Sequence, residues 1–140
     1  MNFVRILVPI DFSEASLDAF KLAQERFAGA NHTLILLHVI ESGLGFVDPQ
    51  NEIQPADIEE RKHRLFSLGR LHGDAWKEVS TLVEAGNPVD CILNAAKLEH
   101  ADLVIMGSHG TGGLKKALFG STTYDVARKL KCSVMVTKTA

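Results

Sequence analysis

Cysteine, tryptophan, tyrosine and proline are all scarce in this chain of 140 residues, which holds two, one, one and four of them. The two cysteines, Cys91 and Cys132, form neither a Cys-x-x-Cys pair nor a metal-ligand spacing. A disulfide framework and a zinc knuckle are therefore excluded, and two reduced, buried thiols are expected. No stretch approaches the roughly 18 apolar residues that a membrane span needs. The opening Met-Asn-Phe-Val-Arg-Ile-Leu-Val lacks the long apolar core and small-residue cleavage site of a signal peptide. The expectation is a cytoplasmic protein that meets no membrane. An excess of positive charge is missing too: 15 Lys and Arg against 17 Asp and Glu leave a net charge of −2, which speaks against a nucleic-acid partner. With 46% hydrophobic residues, the length suits one domain over 1–140 that buries about two thirds of its extended surface.

The familiar phosphate loops are absent as well. A Walker loop needs Gly-x4-Gly-Lys-Ser/Thr, but Gly107 and Gly112 are followed by Gly113. The Gly-x-Gly-x-x-Gly dinucleotide fingerprint belongs after the first strand, where this chain has Pro9-Ile-Asp-Phe-Ser13 and no glycine. What is present is a dense glycine stretch elsewhere. Five of the eleven glycines stand at positions 107, 110, 112, 113 and 120, and so many permissive residues cost conformational entropy that calls for a reason. Ala101-Asp-Leu-Val-Ile-Met106 before them reads as a buried strand, and Ser121 to Leu130 after them as a helix with Val126, Ala127 and Leu130 on one face. Strand, glycine loop and helix start make an anion site, because the first helical amides lack intrahelical partners and sit at the positive end of the helix dipole. Gly120 clears the approach, and Ser121 is expected as the N-cap. The alternative is a surface loop that uses glycine only to turn.

The remaining segments alternate. Val4 to Ile10 is a nearly continuous apolar run suited to a strand covered on both faces. Ser13 is an N-cap for a helix through about residue 27, with Ala19, Phe20, Ala23 and Phe27 on one face and Gly29 closing it. His32 to Val39 is a second buried strand; His38 at its end reads as a satisfied histidine, since no metal-spaced partner lies near it. Residues 41–54, with Gly43, Gly45 and Pro49 among Leu44, Phe46 and Val47, form a long loop, either a cover over a ligand or an unstructured insertion. Pro55 starts a charged helix continuing through Leu65, Leu68 and Leu71 toward Gly73. Trp76 to Val83 alternates like an edge strand. Glu84-Ala-Gly-Asn-Pro88 then turns into a helix with Val89, Ile92, Leu93 and Ala96 on one face. Strands near 3–9, 33–39, 77–83, 102–106 and 133–138 with helices between them predict an α/β fold, a parallel sheet with helices on both faces. Asp11, at the carboxyl edge where such sheets bind ligands, is open to two readings: a helix-capping carboxylate or a ligand contact.

The spacing Gly-x2-Gly-x9-Gly-Ser/Thr is met by Gly107, Gly110, Gly120 and Ser121, and it resembles the nucleotide-binding branch of the universal stress protein family. The likeness extends over Val8-Pro-Ile-Asp11, Leu37-His-Val39, Glu84 to Pro88, Ala101 to Gly110 and Cys132-Ser-Val-Met-Val136. It implies a single doubly wound domain with a five-stranded sheet in the order 3-2-1-4-5, which sets Asp11 opposite the Gly107 loop. It implies ATP as ligand, with Asp11 on the base or ribose, Val39 lining the adenine pocket, and the phosphates on the amides of Gly110, Gly120, Ser121 and Thr122. Pro9, Met106, Gly107 and His109 complete the implied set. A magnesium or manganese ion held through the phosphates would offset their charge. The resemblance also implies a homodimer through the last strand, Val134 to Lys138, although the family more often has proline where this chain has Ser133.

Three other readings compete. A slow ATPase would draw on Ser108, His109, Lys115 and Lys116, none of which forms a recognisable acid–base pair. A receiver domain would phosphorylate an aspartate after the third strand, where this chain has Glu84-Ala-Gly. A ligand-free structural dimer would have no need of the complete glycine pattern.

Overall fold

The structure, a computed structural model, describes residues 3–41, 54–108 and 120–138. Its strands are β1 (Arg5–Pro9), β2 (Thr33–Glu41), β3 (Glu78–Gly86), β4 (Leu103–Gly107) and β5 (Ser133–Thr137). They form one parallel sheet in the order β3-β2-β1-β4-β5. The helices are α1 (Glu14–Phe27), α2 (Pro55–Arg70), α3 (Pro88–Leu98) and α4 (Ser121–Lys129), and a 3-10 turn spans Gly73–Ala75.

The sheet's side-chain period of two divides the core into two layers. Ile6, Val8, Leu34, Leu36, Leu103 and Ile105 face α1 and α2, where Ala19, Phe20, Ala23 and Leu65 meet them. Leu7, Ile35, Leu37, Val104 and Met106 face α3 and α4, where Ile92, Ala95, Ala96 and Val126 close the second layer. Crossovers between parallel strands keep one hand, so reversing the direction of travel across the sheet reverses the covered face. Here the chain runs from β1 out to β3 with α1 and α2 on one face. It then crosses back over β1 to β4 and β5 with α3 and α4 on the other. The reversal lies between β1 and β4, whose registers Ile6 to Leu103 and Leu7 to Val104 are adjacent. Neighbouring strands feed helices to opposite faces there, so their carboxyl ends leave a crevice.

The helix starts follow local chemistry. Ser13 caps α1 by accepting from Ser16 N–H, and Asn87 caps α3 by accepting from Asp90 N–H at 3.1 Å, while Pro55 and Pro88 occupy first-turn positions. Several details depart from expectation. β3 extends through Glu84 and Ala85 to Gly86, because Val39, Ile40 and Glu41 of β2 continue past the expected strand end and pair with them. Asn87 alone separates β3 from α3, and the φ of 148° at Gly86 sets the direction into the helix. α1 ends at Phe27 with Ala28 at the C-cap position, and Gly29 after it does not take the positive φ of a closing glycine. α2 ends at Arg70, and Leu71 is exposed. On α4 the buried residues are Thr123 and Val126, whereas Ala127 faces solvent.

One glycine is fixed by packing. A Cβ on Gly107 would lie 2.6 Å from the carbonyl carbon of Ala15, 2.7 Å from its oxygen and 2.8 Å from its Cβ. Two of these atoms are backbone in the first turn of α1 and cannot swing aside. Gly107→Ala is expected to destabilise the fold by about 1–3 kcal/mol through overpacking, seen as a lower urea midpoint with an unchanged slope.

Candidate functional site

The carboxyl ends of β2, β1 and β4 are neighbours and carry Val39, Pro9 and Met106-Gly107. Val39 and Met106 lie on the α3/α4 face, Met106 buried and Val39 half-buried against the same core layer. Gly107, one residue on, faces α1 instead and seats β4 against Ala15. Asp11 and the glycine stretch therefore meet through the first turn of α1, which one precedes and the other abuts.

On the β1 side, a turn from Ile10 to Ser13 is held by a set of internal hydrogen bonds. Ile10 N–H donates to Leu37 O at 2.7 Å, and Asp11 N–H to Ser16 Oγ at 3.3 Å. The Asp11 carboxylate accepts from Ser13 N–H at 3.0 Å and from the Ser13 hydroxyl. Of the two readings of Asp11, the helix-capping role is thus built into the structure: its Oδ1 orients Ser13, which caps α1. Phe12 between them has φ 63°, a left-handed conformation that costs a non-glycine residue about 1 kcal/mol or more. Buried His38, the residue before Val39, braces this turn with Nδ1 2.7 Å from Ile10 O. It is a satisfied histidine, as its isolation from metal-spaced partners implied.

On the β4 side, the chain leaves the sheet at Ser108 and re-enters described structure at Gly120, and these two residues are tied together. Gly120 N–H donates to Ser108 O at 2.6 Å, and Ser108 N–H donates to Thr137 O of β5 at 3.0 Å. Thr123 Oγ1 in α4 donates to Gly107 O at 2.9 Å, and Thr137 Oγ1 to Met106 O at 3.3 Å. His109 and Gly110 lie outside the described residues, as do Lys115, Lys116 and positions 42–53 of the long loop.

Gly120, not Ser121, is the N-cap of α4; its φ of −66° and ψ of 162° place it in the cap conformation, and Ser121 is the first helical residue. The Gly120 amide, expected to face phosphate, is engaged by the Ser108 carbonyl. The amides of Ser121, Thr122 and Thr123 have no acceptor among the described residues. α1, α2 and α3 each carry a first-turn acid, Glu14, Asp57 and Asp90, whereas α4 has none and no side-chain cap. Its first turn thus holds no acid to meet the positive pole, while Arg128 and Lys129 occupy the other end.

Of the four residues that a hydrolytic reading would draw on, Ser108 alone is among the described residues. Ser108 is 4% exposed with its amide and carbonyl both engaged, and its three companions lie outside the described residues. Among the described residues no group of three or more His, Cys, Asp or Glu side chains could hold a metal ion. Ser16 and Thr123, which anchor the two turns, escaped the sequence reading; the only signal was a hydroxyl three residues past each N-cap.

The family model described as the universal stress protein family matches residues 2–138. The chain belongs to that family. It is 30% identical to universal stress protein MJ0577 of Methanocaldococcus jannaschii over 97% of this chain and 95% of that protein. The solved structure of MJ0577 superposes with a TM-score of 0.84, covering 100% of this chain and 99% of the other. Two more distant structures share the fold. A universal stress protein in complex with cAMP is 24% identical with a TM-score of 0.73, each chain fully covered. A family protein of Arabidopsis thaliana with AMP bound is 19% identical with a TM-score of 0.67, covering 98% of this chain and 92% of that one. Among the described residues no helix is long and apolar enough to cross a membrane.

Replacing Asp11 by alanine removes the acceptor for two Ser13 donors. The expected loss is about 1 kcal/mol of stability, typical of a broken N-terminal cap, read from chemical denaturation without ligand.

Proposed function

We propose that this universal stress protein binds ATP across the carboxyl edge of β1 and β4 and serves as a nucleotide-responsive regulator in the stress response of the cytoplasm. The observation that carries the reading is the start of α4. Three successive amides there have no acceptor among the described residues, no first-turn acid neutralises the dipole, and the residue at the cap has no side chain to obstruct an oxygen. Anions bind such ends through backbone N–H groups. AMP and cAMP complexes of family members support an adenine ligand.

In this reading the phosphates lie on the amides of Ser121 and Thr122 beside Gly120, with Gly110 and His109 contributing from the glycine stretch. The adenosine lies over Pro9, between Asp11 and Val39, with Met106 and Gly107 as floor. Asp11 keeps Oδ1 on Ser13, and in this reading its carboxylate also meets the ribose or base. Bound magnesium or manganese would be held by the phosphates, since the described residues offer no metal site of their own; it would offset the phosphate charge. The domain extends over 1–140.

β5 ends the sheet on one side, and Met135 is partly exposed on it. A sheet edge of this kind invites a partner strand, and the reading includes a homodimer through Val134 to Lys138. Light scattering is expected to give twice the chain mass.

The deciding measurement is calorimetric titration of ATP into the wild type and Gly120→Val. The variant's branched carbons occupy the space an oxygen needs, so its affinity is expected to fall about 100-fold, a loss of about 2.7 kcal/mol. Its thermal unfolding should stay close to wild type, because a valine adopts the observed φ and ψ of position 120 without strain. Equal affinity in the two proteins would move the phosphate seat elsewhere.

A further inference from the structure

We propose that His38 is a positioning residue which, only while neutral, clamps the Asp11 turn to α2, so that acidification releases the turn and weakens nucleotide binding. The inference rests on the nucleotide reading above and adds a proton as the regulator of that site.

The geometry sets the protonation state. The Ile10 carbonyl can only accept, so His38 Nδ1, 2.7 Å away, carries the hydrogen. Nε2 is then left with a lone pair, which Arg61 Nη1 of α2 meets at 3.1 Å by donating to it. One neutral imidazole thereby joins three elements: the end of β2, the turn after β1, and α2. Protonation places a hydrogen on Nε2 facing a guanidinium that has no acceptor to offer. The Arg61 contact is lost, and two cations are left in apposition.

The surroundings make the clamp matter. Phe12, held at φ 63°, packs its ring 5.0 Å from the imidazole, and Arg64 places its guanidinium carbon 4.0 Å from the centre of the Phe12 ring. A backbone in a sparsely populated region persists only where neighbours over-determine it, and here the neighbours are His38, Arg61 and Arg64. Among the described residues, the charged groups facing His38 come from α2 and from the turn after β1. Arg61 and Arg64 come from α2, Asp11 comes from the turn after β1, and Val83, its register partner on β3, is uncharged. Burial pushes the imidazolium below its usual range; the Ile10 carbonyl pulls it back, Arg61 lowers it again, Asp11 raises it and Arg64 lowers it. The unfolded chain takes up a proton near pH 6.5 and the folded chain only at lower pH. Below about pH 6.5 the unfolded state therefore binds more protons, and folded stability declines as the pH falls.

The test follows His38 and its turn by NMR in ligand-free protein from about pH 7.5 to about pH 5, with ATP affinity measured calorimetrically over the same range. In the wild type the imidazole and the amides of Asp11, Phe12 and Ser13 should titrate together. Affinity should fall about fivefold or more beyond the change seen in His38→Asn, which cannot ionise and reports only the nucleotide's own phosphate titration. Arg61→Met, a second variant free of any change at His38, should move the imidazole midpoint upward by removing a cation. Amides that stay still while the imidazole titrates, an unmoved midpoint in Arg61→Met, or coincident affinity profiles for wild type and His38→Asn would each overturn the proposal. ATP that failed to bind at about pH 7.5 would instead count against the nucleotide reading, and the ligand-free titration would still report on the clamp.

Discussion

The contact between Gly107 and the backbone of Ala15 is the constraint from which the site follows. At 2.6 Å from a virtual Cβ to a carbonyl carbon, only a residue without a side chain lets the end of β4 lie against the first turn of α1. That approach brings the turn after β1 and the turn after β4 to a common place. Without it the strands could keep their registers, but the two helix starts would splay apart. The glycine therefore acts on the candidate site through packing, and no contact with a ligand is needed to explain why it has no side chain.

Two turns of different construction face each other across this seam. The turn leading to α1 is held from within: the Ile10 carbonyl, the amides of Ile10, Asp11 and Ser13, the Ser13 and Ser16 hydroxyls and the Asp11 carboxylate have protein partners, and Glu14 answers the helix dipole. The turn leading to α4 is tied at its base, through Ser108, Gly120, Thr123 and Thr137, but its helix start lacks an acid and a capping side chain. A tied base and a first turn without an acid suit an anionic ligand, because the donors are already oriented and little ordering cost remains at binding. The side held from within suits a neutral, shape-recognised group such as a base or ribose.

The sheet and the order of its helices were legible in the sequence because both depend on short-range pattern. Continuous apolar runs such as Leu34 to Leu37 marked covered strands, and Ser13, Pro55, Asn87 and Pro88 marked helix starts. Strand order came from the family resemblance, since alternation alone permits several orders. What stayed hidden depended on contacts between segments distant in sequence. β3 runs on to Gly86 because β2 offers it partners, and the cap of α4 moves to Gly120 because Ser108 claims that amide. The left-handed Phe12 had no local signal at all, since nothing about phenylalanine favours positive φ.

That residue shows where local preference was overruled and what overruled it. An asparagine or glycine would occupy φ 63° at lower cost, but neither would place a ring between His38 and Arg64. The strain is offset by a stack that binds α2 to the sheet edge beside Asp11, so what keeps the turn in shape includes one group, the His38 imidazole, whose charge responds to pH. A turn fixed by glycine alone would hold its shape regardless of protonation. A turn fixed by a neutral imidazole and two guanidiniums holds it only while the imidazole remains neutral, and that condition links the backbone strain at Phe12 to the chemistry of the medium.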